Sequence, residues 1–108
     1  MKRRVVRLAS VASDDVAQLL EYTIATAGLD AAAALDATLD AALESLATIA
    51  DRGRLVPELQ VRGVVGFREL IRAPYRTLYR VDARVVWVLA VVDGRRDLAS
   101  LLRERARR

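Results

Sequence analysis

The run Gly66-Phe67-Arg68-Glu69-Leu70-Ile71-Arg72, Ala73-Pro74-Tyr75-Arg76-Thr77-Leu78-Tyr79-Arg80-Val81-Asp82, Val85-Val86-Trp87-Val88-Leu89-Ala90-Val91-Val92 and Asp93-Gly94-Arg95-Arg96-Asp97 decides the fold. It reads as three consecutive antiparallel strands. Pro74 stands where a strand tolerates proline, at a turn or a first position. The third piece is an unbroken, valine-rich apolar run, the pattern of a central strand buried on both faces.

Side chains alternate between the two faces of a strand. Phe67, Glu69 and Ile71 therefore share one face of the first strand, and Arg68, Leu70 and Arg72 the other. In the second strand Tyr75, Thr77, Tyr79 and Val81 oppose Arg76, Leu78, Arg80 and Asp82. A turn centred on Pro74 would set Arg72 opposite Arg76 and Arg68 opposite Arg80. Phe67, Ile71, Tyr75, Tyr79 and Val81 then form an apolar face, and Arg68, Arg72, Arg76 and Arg80 gather on the other around Leu70 and Leu78. Like charges directly opposed across strands are unfavourable, so such a face calls for an anionic partner. A slip of one residue in the pairing would undo it. The plain alternative is a solvated face of arginines. Phe67, Tyr75, Tyr79 and Trp87 read as core.

Outward from the sheet, residues 4–9 alternate as a first strand pairing with the valine run. Ser13 is the expected N-cap of a helix, with Asp14 and Asp15 in its first turn, where the dipole favours anions. Val16, Leu19, Leu20, Thr23, Ile24 and Ala27 keep helical spacing up to Gly28, which suits a left-handed C-cap. Asp30 is expected to cap a second helix with Leu35, Leu39, Leu43, Leu46 and Ile49 along one stripe. A turn this short makes the pair an antiparallel hairpin. Asp36, Asp40 and Glu44 fall on one line of the second helix. They read as a solvated face, or as a surface for a basic segment. Gly53 and Pro57 mark residues 52–59 as an extended connector, and Asp97 can cap a short last helix. The fold class is α+β: an N-terminal strand, an antiparallel helical hairpin on a small, largely antiparallel four-stranded sheet, and a short C-terminal helix.

With 108 residues, a single domain over 1–108 is expected. The absence of cysteine and histidine removes disulfides, thiolate chemistry, the usual zinc sites and a histidine base, and no cofactor or metal is expected. Charge is distributed unevenly. Residues 11–50 hold seven acids and no lysine or arginine, whereas residues 51–108 hold fourteen arginines against seven acids. A basic half of this kind attracts nucleic acid or an acidic protein. Seventeen arginines to one lysine also favours the residue that grips phosphate and carboxylate in a fork. Met1-Lys2-Arg3-Arg4 before Val5-Val6 mimics a signal peptide, but Arg7 interrupts a run already too short. Residues 85–92 are too few to span a bilayer. A cytoplasmic protein without a membrane partner is expected.

Several stretches then fall together: Gly53-Arg54 with Pro57-Glu58-Leu59; Phe67-Arg68-Glu69-Leu70; Pro74-Tyr75-Arg76 with Tyr79-Arg80-Val81-Asp82; and Val88-Leu89, Val91-Val92 and Gly94-Arg95-Arg96-Asp97-Leu98. In this order and spacing the chain resembles the RelE/ParE superfamily, toxins of bacterial type II toxin–antitoxin modules, over essentially its whole length. The resemblance implies growth arrest, a role in plasmid stabilisation and silencing by a cognate ParD-like antitoxin. It also implies one of two targets. RelE-like members cleave messenger RNA in the ribosome; ParE-like members poison DNA gyrase. By position, Arg68, Arg76 and Arg95 match basic members of the RelE active set. Leu70 stands where RelE-like toxins carry a second lysine, and the tail after Arg96 has Leu101 and Leu102 but no tyrosine. Asp93 replaces a histidine that many ParE-like sequences place before Gly-Arg-Arg-Asp.

Chemistry points the same way. Attack by a 2′-hydroxyl needs a base and an acid, and arginine remains protonated in proteins. Tyr75, Tyr79 and Glu69 are expected on the helix side of the sheet, and Asp82 and Asp93 near it. The favoured reading is thus a ParE-like gyrase inhibitor acting by protein contact, with a RelE-like messenger-RNA endonuclease as the alternative. A nucleic-acid-binding module without toxicity is a third. The expected functional face is Arg68, Arg72, Arg76, Arg80, Arg95 and Arg96. Leu70, Leu78, Arg76 and Arg80 are the expected antitoxin contacts, with the helical hairpin as another place for that partner. The tail arginines Arg103, Arg105, Arg107 and Arg108 are candidates for the gyrase contact.

Overall fold

A computed structural model of the chain describes residues 3–106. The first strand, β1 (Val5–Leu8), leads into α1 (Ser10–Ala27), and α2 (Leu29–Ile49) runs back along it. Gly28 makes the reversal at φ +93°, and its N–H closes α1 onto the carbonyls of Thr23 and Ile24. A 3-10 turn (Ala50–Arg52) leads to a two-residue strand β2 (Arg54–Leu55) and the single-turn helix α3 (Pro57–Gln60). Then come β3 (Phe67–Arg72), β4 (Tyr75–Val81), β5 (Val85–Asp93) and α4 (Leu98–Ala106). The sheet has five strands in the order β1-β5-β4-β3-β2; β1 is parallel to β5, and the other pairs are antiparallel.

Three local expectations are corrected. The connector at 52–59 is not merely extended: it adds β2, a fifth strand, and α3, with Pro57 at the first helical position, where its missing N–H costs nothing. The first helix begins at Ser10 rather than after Ser13, and α2 begins at Leu29, so Asp30 lies inside its first turn. Asp15 is not a dipole partner in solvent. It is 8% exposed, and its carboxylate accepts the Val91 N–H at 2.9 Å and two nitrogens of Arg105. β1 stops opposite Val88, so the amide of Val91 further along β5 has no strand beside it there. Asp15 takes that place and ties α4 to α1.

The sheet is covered on both faces. Under the helical hairpin lie Ala12, Leu39, Leu46, Ala50, Tyr79, Val86, Val88 and Val91. On the opposite face Val56, Leu78, Ala90, Val92 and Leu98 form a second cluster with Leu59, Phe67, Leu101 and Leu102. β5 supplies both clusters, as its apolar run predicts. An extra residue in β5, Leu89, lies between the pairs Tyr79–Val88 and Leu78–Ala90. This bulge shifts the alternation by one and puts Val91 on the hairpin side with Val86 and Val88. Trp87, expected as core, is half-buried and belongs to neither cluster.

The register of β3 with β4 differs by one residue from that expected. Ala73-Pro74 is a two-residue turn, so Arg72 pairs with Tyr75, Leu70 with Thr77 and Arg68 with Tyr79. Leu70 therefore packs beneath the hairpin, while Phe67, Glu69 and Ile71 share the other face with Arg76, Leu78 and Arg80. Two gains favour this pairing. It packs Leu70 against the hairpin cluster, and it places the carboxylate of Glu69, instead of another guanidinium, beside Arg76.

Asp15→Ala is expected to destabilise the fold by about 3 kcal/mol, because it strands the half-buried Arg105 and the buried Val91 amide. Asp15→Asn, which keeps an acceptor for Val91, should cost less. Urea unfolding of the two variants measures the difference.

Candidate functional site

The expected arginines do not occupy one face. Arg68 and Arg72 lie on the hairpin side of the sheet, Arg76 and Arg80 on the other. Arg68 donates to the Gly53 carbonyl at 2.6 Å. Arg72 is exposed and donates to the carbonyl of Ile71. Leu78, an expected antitoxin contact, is 3% exposed within the second cluster, and Leu70 faces the other way. Arg96 is exposed; Arg107 and Arg108 lie outside the described residues.

Arg76 is the centre of what remains. It is 9% exposed and bonds to carboxylates through three nitrogens: Nε to Glu69 at 2.6 Å, and Nη1 and Nη2 to the two oxygens of Glu58 at 2.8 and 2.9 Å. The other oxygen of Glu69 accepts from Arg54 Nε at 2.6 Å. The fully buried Glu69 side chain is thus held by two guanidinium groups. The hydrogen bonds from Glu58 chiefly, and then from Glu69, push the Arg76 guanidinium above its ordinary range against the opposing effect of burial. The same contact with Arg76 holds the Glu58 carboxyl below its ordinary 4.5. Two arginines and two acids leave the cluster without net charge.

Arg95 stands at the exit of β5 and grips Asp93 through Nε at 2.9 Å and Nη2 at 2.5 Å. Asp93 also accepts the Arg95 N–H, which turns the chain toward α4. Its carboxyl is lowered first by the Arg95 side chain, whose own guanidinium is raised in return. Gly94 donates to the Pro74 carbonyl at 2.6 Å, and a Cβ there would lie 2.8 Å from that oxygen and 3.2 Å from Arg76. Only glycine brings the two turns this close. The result is a shallow dish of about 320 Å³ lined by Arg54, Ile71, Pro74, Arg76, Gly94 and Arg95. A wider concavity of about 610 Å³ between β1 and α2, with Arg3, Arg4, Asp40 and Glu44 in its lining, holds none of the expected residues.

Of the expected set, then, the fold joins Arg76 to Arg95 and adds Arg54, Glu58 and Glu69 in roles the sequence reading missed. One signal was present: Glu69, alternating between Phe67 and Ile71, is an acid on an otherwise apolar strand face, and a buried acid needs a cationic partner. Nothing local marks Glu58.

The arginines of the dish are already matched by Glu58, Glu69 and Asp93, and the dish is poor in groups that move protons. Tyr75 and Tyr79 are on the hairpin side. Tyr79 donates its hydroxyl to the Ala50 carbonyl at 2.7 Å, and burial pushes its phenol up. The nearby carboxylates are tied to arginines. Among the described residues, no cluster of acids, histidines or cysteines could hold a metal ion.

The five-stranded α+β architecture is that of a RelE/ParE-like toxin fold. One similar solved structure is the chromosomal ParDE toxin–antitoxin system of P. aeruginosa, 18% identical with a TM-score of 0.69, covering 86% of this chain and 98% of that one. Another is the RelBE2 toxin–antitoxin complex of Mycobacterium tuberculosis, 24% identical with a TM-score of 0.59, covering 84% and 98%. No curated protein matches the chain by sequence. The family model for the ParE toxin of the type II toxin–antitoxin system, parDE, matches residues 6–98, and the chain belongs to that family.

Glu69→Ala is expected to cost about 3–5 kcal/mol in urea unfolding, since it leaves Arg76 buried beside an empty position. Replacing the pair together, Glu69→Leu with Arg76→Met, should restore most of that loss. Acid should act on the same cluster. Because Glu58 is depressed in the folded chain, its contribution is complete above the ordinary value of 4.5 and is lost as pH falls below it through the folded value. Glu58→Gln should therefore flatten the stability profile below pH 4.5, read from urea midpoints across that range.

Proposed function

We propose that the chain is a cytoplasmic toxin that arrests growth by inhibiting DNA gyrase through protein contact, and that a cognate ParD-like antitoxin keeps it silent. The observation that carries the choice of target is the state of Arg76. In a messenger-RNA endonuclease of the RelE kind, the arginine at this position would meet phosphate. Here its three bonding nitrogens are already occupied by Glu58 and Glu69, and the acids beside it among the described residues are those same two carboxylates, already engaged and not free to move the proton of a 2′-hydroxyl. Membership of the ParE family supports the same reading. Among the described residues, no helix is long and apolar enough to cross a membrane, which accords with action in the cytoplasm.

The helical hairpin offers this antitoxin a better surface than the sheet does. Leu78 and Arg76 are buried, whereas Tyr22, Ile24 and Leu29, around the hairpin tip, are 69%, 45% and 72% exposed. An otherwise disordered, amphipathic segment could fold on that apolar tip.

Induction of the chain alone in a bacterial host should give double-strand DNA breaks and filamentation with intact messages, and the purified chain should reduce gyrase supercoiling and trap cleaved DNA. Rapid translation arrest with codon-positioned cuts in messages would replace the gyrase reading with the ribosomal one.

A further inference from the structure

One row of side chains runs across four strands on the sheet face opposite the hairpin. Phe67 of β3 pairs with Arg80 of β4, Arg80 with Trp87 of β5, and Trp87 with Arg7 of β1. Directly paired residues point to the same face, so Trp87 stands between two arginines at the strand spacing of about 4.8 Å. Phe67 is anchored in the second cluster, while Trp87 joins neither cluster. Arg7 and Arg80 are exposed, and neither makes an ion pair among the described residues. The nearby acid Asp82 turns its carboxylate onto the Ala83 amide, and Arg84 adds another exposed cation in the same turn. This row is separate from the Arg76–Arg95 dish: Arg80 is four residues along β4 from Arg76, about 13 Å, with buried Leu78 between them.

We infer that this row is a binding site for single-stranded nucleic acid, with Trp87 as a stacking surface for a base and Arg7 and Arg80 as contacts to the flanking phosphates. The physical reasons are specific to the row. A half-buried indole that serves neither core keeps part of its surface accessible, and every base has a face that can stack on an aromatic ring. Arginine planes supply both phosphate forks and further stacking. An acidic peptide would use the two charges but gain less from the ring. The contacts assigned here are to a base face and to phosphates, so sequence preference should be weak.

Trp87 is the chain's one tryptophan, so its emission reports the site directly. The full-length chain is titrated with an oligothymidylate of about twelve nucleotides, within the range of roughly 4–16 that single-strand sites cover. The expected result is saturable quenching that weakens with salt. Arg7→Glu and Arg80→Glu should each reduce affinity, and each lost phosphate contact should flatten the log–log salt slope by about 0.7. Trp87→Leu, followed by fluorescence anisotropy of labelled oligonucleotide, should weaken binding by about tenfold or more. If that variant does not fold by circular dichroism, the two arginine variants decide, since they keep the indole. Absence of quenching at low salt, or affinity unchanged by both charge reversals, overturns the proposal. Stronger quenching by polyglutamate than by the oligonucleotide also overturns it, and makes the row a contact for an acidic protein. None of these readings depends on growth arrest or gyrase.

Discussion

Glu69 has no exposed side-chain surface and an arginine on each oxygen. A carboxylate removed from water is tolerable only when both oxygens are satisfied by cations, so its position constrains much around it. β2 must lie beside β3 for Arg54 to reach it, and the register of β3 must bring Arg76 to its other side. The remaining nitrogens of Arg76 then need an acid, which Pro57-Glu58-Leu59-Gln60 provides by winding into α3. The shortest elements in the chain thus have a common electrostatic cause. They also determine the character of the dish, since an arginine already matched by two carboxylates offers little to an incoming phosphate.

Pattern alone reveals the larger elements. The leucine stripe of the second helix, the valine run and the three-strand core are repetitive enough for periodicity to identify them, and β4 has its expected alternation. What periodicity could not decide was the number of residues in the turn at Pro74. Two-residue and three-residue turns fit the same proline, yet the first puts Arg68 and Arg72 together on the hairpin side and the second puts both on the other face. Like-charge repulsion, used in the sequence reading as a sign of function, is instead relieved by the actual register. The two-residue β2 and one-turn α3 have no period to detect, and their cause lies in Glu69 and Arg76, more than ten residues downstream. The bulge at Leu89 was hidden for a related reason: in a run apolar throughout, a shift in parity changes no letter of the pattern.

The candidate site was legible in part. Arg76 and Arg95 were singled out and do meet in the dish; the glycine between Asp93 and Arg95 permits the approach. Arg54, Glu58 and Glu69 come from separate segments, and their association is a property of the fold. Trp87 shows the opposite limit. A tryptophan inside a valine run reads as core, and only the register shows an indole flanked by Arg7 and Arg80, which make no ion pair among the described residues.

The difference in length between β1 and β5 has a consequence for solubility. β5 is nine residues long, β1 only four. Beyond Val88 the most apolar strand of the chain therefore lacks a neighbouring strand on one side. An uncovered row of that kind is a template on which another chain could add a strand, and a valine-rich segment is prone to do so. The carboxylate of Asp15 occupies the Val91 amide, and the arginine from α4 locks that carboxylate in place. An internal ion pair thereby serves as a guard against edge-to-edge self-association. Any loosening of the last helix would remove Arg105 from Asp15 and leave that cap on the Val91 edge held by α1 alone.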